Sequence, residues 1–102
     1  FQEQFRGTSI MRTKRIGLQK NACVALGNRR DTSAVPSLIS TLTNAEPIVR
    51  GHAAWALGEI STCEALSALE IAAESETDSY VLEEIQEAIK VAVDPVRSIT
   101  LG

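Results

Sequence analysis

Aromatic residues are scarce. The 102-residue chain holds two Phe, one Trp and one Tyr, 4% of its residues, although 44% are apolar. Its core must be aliphatic and rich in alanine, which suits closely packed helices better than a sheet. Alternating β-branched runs are missing too, so no strand is expected. No run of 18 apolar residues occurs, which excludes an ordinary membrane-spanning helix. The first fifteen residues hold Glu3, Arg6, Arg12, Lys14 and Arg15 but no apolar h-region, so no signal peptide is expected. The chain opens on Phe rather than Met, as a piece of a longer protein would. The two cysteines, Cys23 and Cys63, match no CxxC or Cys/His metal spacing and read as small buried thiols in a cytoplasmic protein. No Ser/His/Asp set, Gly-rich phosphate loop or paired-carboxylate site stands out, and no catalytic residue is assigned.

What is present is helical periodicity. Val49, Ala53, Ala56, Leu57 and Ile60 make one apolar stripe, and Gly51, Ala54 and Gly58 a second stripe of small residues. Two glycines in one helix cost about 1 kcal/mol each relative to alanine, a cost that close approach of a neighbouring helix would offset. Earlier in the chain, residues 1–7 read as the end of a helix closed by Gly7. Thr8 or Ser9 then caps a helix from about Ile10 to Gly27, with Leu18, Ala22, Ala25 and Leu26 inward. Gly17 is a candidate break, and Gly27-Asn28 reads as a stop. Asp31-Thr32-Ser33 opens the next helix, Glu46-Pro47 the central one, Ser61-Thr62 a fourth, and Asp78 or Ser79 the last, which runs to about Val93.

A repeat organises these segments. Residues 21–27 match residues 52–58 at a spacing of 31, and Val49, Ala53, Ala56 and Leu57 match Val81, Ile85, Ala88 and Ile89 at 32. The pattern predicts an all-α fold: short HEAT-like repeats of the phycobilin-lyase type, stacked as a right-handed α-solenoid of about six helices. Residues 1–28 form a partial first repeat, 31–60 and 62–93 two full ones, and 94–102 a loose tail.

Charge is unevenly divided. Residues 1–30 carry seven basic residues against Glu3 alone, a balance of +6, and residues 31–102 carry three basic against twelve acidic, a balance of −9. Arg12, Lys14, Arg15 and Lys20, with Arg29 and Arg30, could follow a phosphate backbone, or they could be a solvated helix or pair with the acidic half. His52 reads equally as a phosphate or base contact and as a packing partner of Trp55. Arg50 reads as a bond to an adjacent turn, with Asp31 and Glu46 the nearest acids in sequence, or as a further RNA contact. Trp55 is expected to pack between repeats. Glu83, Glu84 and Glu87 form an acidic face that is solvated or docks on a basic partner.

Two segments carry a resemblance. Phe5-Arg-Gly-Thr-Ser-Ile-Met-Arg-Thr-Lys-Arg-Ile-Gly-Leu-Gln-Lys-Asn-Ala-Cys-Val-Ala-Leu-Gly-Asn28 resembles the pattern F-x-G-(S/T)-x-(I/L)-x-R-x-K-R-x-G-x-x-R-N-x-x-x-A-L-G-N, with Lys20 where arginine is usual. That pattern introduces the C-terminal helical region of epoxyqueuosine reductases, and Val-Arg-Gly-His-Ala-Ala-Trp-Ala-Leu-Gly, residues 49–58, is similar to the same family. The resemblance implies a cytoplasmic parent enzyme that uses cobalamin and two four-iron clusters to form queuosine in tRNA. It implies a non-catalytic module here, without cofactor or metal, that docks the tRNA anticodon stem–loop through its basic third and packs on an upstream catalytic domain. The rival expectation is a protein–protein adaptor of the phycobilin-lyase type with an apolar inner groove.

Overall fold

The computed structural model describes residues 2–93, and side chains for residues 11–93. Helix α1 spans Gln2–Arg29, a 3-10 turn Thr32–Ala34 leads into α2 (Val35–Thr41), and α3 (Pro47–Ile60), α4 (Cys63–Ser75) and α5 (Ser79–Val93) follow. No strand occurs among the described residues. Helices α1, α3 and α5 lie side by side with α3 in the middle, and α2 and α4 pack behind them as a second layer. The all-α, HEAT-like solenoid architecture is therefore present.

Five α-helices are described where about six were expected, because the two segments before Gly27 are one helix. Gly7, Thr8, Ser9 and Gly17 all sit inside α1. A helical glycine costs about 1 kcal/mol but does not by itself end a helix. Gly27-Asn28 is not the stop either. Arg30 closes α1 with φ 52°, donating its N–H to the Gly27 carbonyl (3.1 Å), while the Asp31 N–H reaches the Leu26 carbonyl (3.2 Å). This paired arrangement satisfies the last carbonyls of the helix and uses Arg30 where glycine is more common. The tail from Asp94 and the rings of Phe1 and Phe5 lie outside the described residues and side chains.

The other boundaries follow their caps. Asp31 accepts the Ser33 N–H at 3.0 Å and sets the 3-10 turn, so α2 begins only at Val35. Pro47 occupies the first turn of α3, where its missing N–H leaves no helical bond unmade. Thr62 caps α4 through the Ala65 N–H at 3.0 Å, and Asp78 caps α5 through the Tyr80 and Val81 N–H groups at 2.9 and 3.2 Å.

Packing repeats with the sequence. A Cβ placed on Gly27 would stand 3.0 Å from Ala56 Cα, and one on Gly58 would stand 2.8 Å from Ala88 Cα. Gly27 and Gly58 are repeat equivalents, as are Ala56 and Ala88. The same glycine–alanine approach thus joins α1 to α3 and α3 to α5. None of the described glycines has a positive φ, so closeness, not backbone conformation, is what these positions require. Val49, Ala53, Ala56 and Leu57 are fully buried, and Leu38, Leu69, Val81 and Ile85 complete the core.

The stripe expected on α1 faces outward. Leu18 is 71% exposed, Ala22 and Ala25 are exposed, and Leu26 is half-buried, while Cys23 and Gly27 point to the core. The repeat explains the difference. Leu18, Ala22 and Ala25 correspond to Val49, Ala53 and Ala56, the residues α3 turns toward the helix before it. None of the described helices packs over this stripe of α1. The thiols also divide: Cys23 is buried, and burial pushes its pKa up, whereas Cys63 at the start of α4 is exposed rather than buried.

Candidate functional site

The basic residues of α1 do not gather at one point. Lys14 and Arg15 are exposed near the middle of the helix, and Arg29 and Arg30 are exposed at its C-terminal end. At 1.5 Å per residue these two groups stand roughly 20 Å apart along the axis. Between them run exposed Leu18, Ala22 and Ala25, an apolar stripe that begins before Lys14 with Met11. Lys20 falls on the other side of the helix and is half-buried.

Two arginines are already engaged. Arg12 forks onto Glu46, with Nη2 2.7 Å and Nε 3.0 Å from Oε2, and so ties α1 to the entrance of α3. Its side chain remains 59% exposed. Arg50 is more deeply committed. Its Nε and Nη2 donate to the two oxygens of Glu76, each at 3.0 Å, and its Nη1 donates to the Asn44 carbonyl at 2.8 Å. The guanidinium therefore joins the α2–α3 turn to the α4–α5 turn, and neither Asp31 nor Glu46 is its partner. Glu76 is only 8% exposed. Desolvation alone would raise its pKa. The Arg50 hydrogen bonds, the Asp78 N–H, the Arg50 charge and the Thr77 N–H outweigh that and hold it below the ordinary carboxylate value. The geometry thus gives Arg50 an internal role and leaves few of its protons for an external phosphate.

His52 is half-buried on the face shared by α1, α3 and α5. Its Nδ1 lies 2.8 Å from the Ile48 carbonyl. A carbonyl can only accept, so Nδ1 carries a proton in this bond and Nε2 takes no part in it. Beside it opens a pocket of about 310 Å³ lined by Asn28, His52, Trp55, Tyr80 and Glu84 among others. Trp55 packs against Gly27 of α1 and the core, as expected, but is half-buried rather than fully buried. Helical spacing does not single out Tyr80 or Asn28 as site residues. Desolvation, then the charges of Glu84 and Asp78, raise the Tyr80 pKa, so its hydroxyl stays protonated at neutral pH. The sequence does hold one sign of this pocket in Gly51, a glycine with no counterpart in the neighbouring repeats: the Tyr80 ring lies against it.

No group of three or more His, Cys, Asp or Glu among the described residues is placed to hold a metal. Buried Cys23 and exposed Cys63 do not fit an iron–sulfur cluster, which takes four ligands. No described helix is long and apolar enough to cross a membrane.

A two-layer stack of short helical hairpins, joined by repeated glycine–alanine contacts and carrying basic residues on its first helix, defines a helical-repeat protein. The chain belongs to the HEAT repeat family, whose model matches residues 8–90. Over 75 residues it is 41% identical to an uncharacterized protein in the gldA 3′ region of Geobacillus stearothermophilus, covering 72% of this chain and 35% of that protein. Over 86 residues it is 38% identical to the epoxyqueuosine reductase of Listeria monocytogenes, covering 83% of this chain and 23% of the enzyme. Its fold matches a crystal structure of epoxyqueuosine reductase with an epoxyqueuosine-modified tRNA-Tyr stem loop. The TM-score is 0.69 at 36% identity, over 72% of this chain and 20% of that one. The chain is therefore homologous to a part of epoxyqueuosine reductases and spans about a quarter or less of their length.

Proposed function

We propose that this chain is a non-catalytic docking module of an epoxyqueuosine reductase, and that it helps to hold the anticodon stem–loop of the tRNA substrate. The observation that carries the reading is homology to a reductase solved with a tRNA stem loop, in a chain whose exposed cations concentrate on α1. Lys14, Arg15, Arg29 and Arg30 are the proposed phosphate contacts, with the outer edge of Arg12 beside them, while half-buried Lys20 on the opposite side of α1 stands apart. Arg50 and His52 are held by internal bonds and stand apart from these contacts.

The uncovered stripe of α1 supplies the second half of the reading. Met11, Leu18, Ala22 and Ala25 are the surface proposed to pack on the catalytic part, in the cytoplasm. Lys14, Arg15 and Arg29 then rim that seam, so an RNA lying along it touches both parts. Cobalamin and the two four-iron clusters belong, on this reading, to the catalytic part, and the chain's own cysteines take no share in them. The adaptor alternative calls for an apolar groove on the α1–α3–α5 face. That face instead carries Glu84 beside its rings, which favours RNA docking on α1 as the principal role.

Electrophoretic mobility or fluorescence anisotropy with an anticodon stem–loop tests the reading. Binding is expected to be weak and to fall steeply with salt. The triple variant Lys14→Glu, Arg15→Glu, Arg29→Glu leaves the Arg12–Glu46 bond intact. It should weaken binding at least about tenfold and flatten the salt slope by about 1 for each phosphate no longer neutralised. Unchanged affinity at low salt would remove these residues from the interface.

A further inference from the structure

The pocket between α1, α3 and α5 is chemically unlike the basic helix. Its two aromatic walls are each seated on a glycine. A Cβ on Gly27 would stand 2.5 Å from Trp55 Cζ3, and one on Gly51 would stand 2.6–2.8 Å from Tyr80 Cε2, Cζ and Oη. The atoms nearest to Gly51 on that side are all of the Tyr80 side chain, so this glycine accommodates the tyrosine itself rather than a helix backbone. Such a residue costs about 1 kcal/mol of helix stability, and here it sets the position of a partly exposed ring.

The polar groups of the pocket include one carboxylate and further acceptors, beside the donors of Tyr80, Trp55 and Asn28. Glu84 is its one charged lining residue, and its carboxylate makes no hydrogen bond or ion pair among the described residues. The Nδ1 of His52 is bound to the Ile48 carbonyl, which leaves Nε2 as the ring's other polar atom. Asn28 adds a side-chain carbonyl. A narrower cleft next to the pocket shares Trp55 and Glu84 and is lined also by Glu59 and by Glu87, which pairs with Lys90 at 3.5 Å, so carboxylates recur along the α3–α5 seam. A phosphate is repelled by such a site. A cation that is flat, rich in donors and without acceptors fits it on every count: π faces to stack on, a carboxylate to fork onto, and further acceptors for the remaining protons.

We propose that this pocket binds the guanidinium of an arginine side chain presented by a polypeptide partner, with Trp55 and Tyr80 as its walls and Glu84 as its anion. The partner is a basic segment that continues along the acidic α3–α5 cleft. This site is separate from the α1 cations proposed to dock RNA, and Glu84 is its only charged lining residue.

Trp55 is the only tryptophan of the chain, so its emission reports from the pocket wall. The 102-residue chain is titrated with acetyl-Gly-Arg-Gly-amide, with the same peptide carrying citrulline, with the lysine peptide, and with guanosine. The arginine peptide should give a saturable change with a Kd of about 1 mM, and citrulline, of equal shape but uncharged, should bind at least about tenfold more weakly. Lysine should fall between them, since it lacks the planar fork. Glu84→Gln should weaken arginine binding about tenfold without moving the thermal midpoint, and Tyr80→Leu should weaken it as well. No saturable response up to roughly 20 mM, an equal response to citrulline, or a Glu84→Gln variant that binds unchanged overturns the proposal. Guanosine binding more tightly than the arginine peptide overturns it too and makes the pocket a base site. Loss of stem–loop binding in the α1 variants leaves this readout untouched, so the two readings fail separately.

Discussion

At the scale of single residues, glycines inside helices have different surroundings. Nothing lies within 4 Å of a Cβ on Gly17, whereas one on Gly58 would meet the Cα, Cβ and carbonyl oxygen of Ala88 at 2.7–3.0 Å. Gly17→Ala should therefore stabilise the chain by up to about 1 kcal/mol in urea denaturation, through helix propensity alone. Gly58→Ala should destabilise it by about 1–3 kcal/mol, because backbone of α5 would have to move. Trp55→Ala removes a half-buried ring and should cost about 1.5–3 kcal/mol in the same measurement, less than is typical of an enclosed aromatic. The sequence makes glycine visible but not its reason. Gly27 resembles a helix stop when read alone. Its repeat partner Gly58, in the middle of a helical pattern, is the mark that both serve packing.

At the scale of elements, the helices are legible in the sequence because their caps act locally. Thr62 and Asp78 bond to N–H groups two or three residues on, so pattern and geometry agree. The bonds that join elements are not legible there. Arg50 and Glu76 are 26 positions apart, Arg12 and Glu46 are 34, and only the stacking of hairpins brings them together. Replacing Arg50 with methionine keeps much of its volume but strands the 8%-exposed Glu76 carboxylate, and should cost about 1–3 kcal/mol at neutral pH. The folded pKa of Glu76 lies below its unfolded value, so this contribution is present above about pH 4.3 and is lost as pH falls through the lower folded value. Thermal midpoints measured from pH 6 downward should show that loss in the native chain and a shallower one in Glu76→Gln.

At the scale of the whole molecule, the division of charge along the sequence becomes a division of surfaces. Exposed cations lie along α1, and carboxylates lie along the α3–α5 seam. The composition announces this asymmetry, but the outward turn of Leu18, Ala22 and Ala25 needs the structure, since helical spacing marks a stripe without saying what covers it. Leu18→Ser should accordingly change stability by less than about 0.5 kcal/mol, while Leu57→Ala, at the buried centre of α3, should cost about 2–5 kcal/mol, both read from urea denaturation.

The glycine–alanine contact also bears on self-assembly. Each added helix inserts an alanine plug into a glycine socket of the one before it: Ala56 into Gly27, Ala88 into Gly58. Helix α1 still carries an unused plug, the exposed Ala25. The next socket, one repeat beyond Gly58, is Lys90, whose side chain is 79% exposed and lies 3.5 Å from Glu87. A side chain at that position, where Gly58 has none, disfavours seating the Ala25 of a second copy on α5 in the way that Ala88 seats on Gly58.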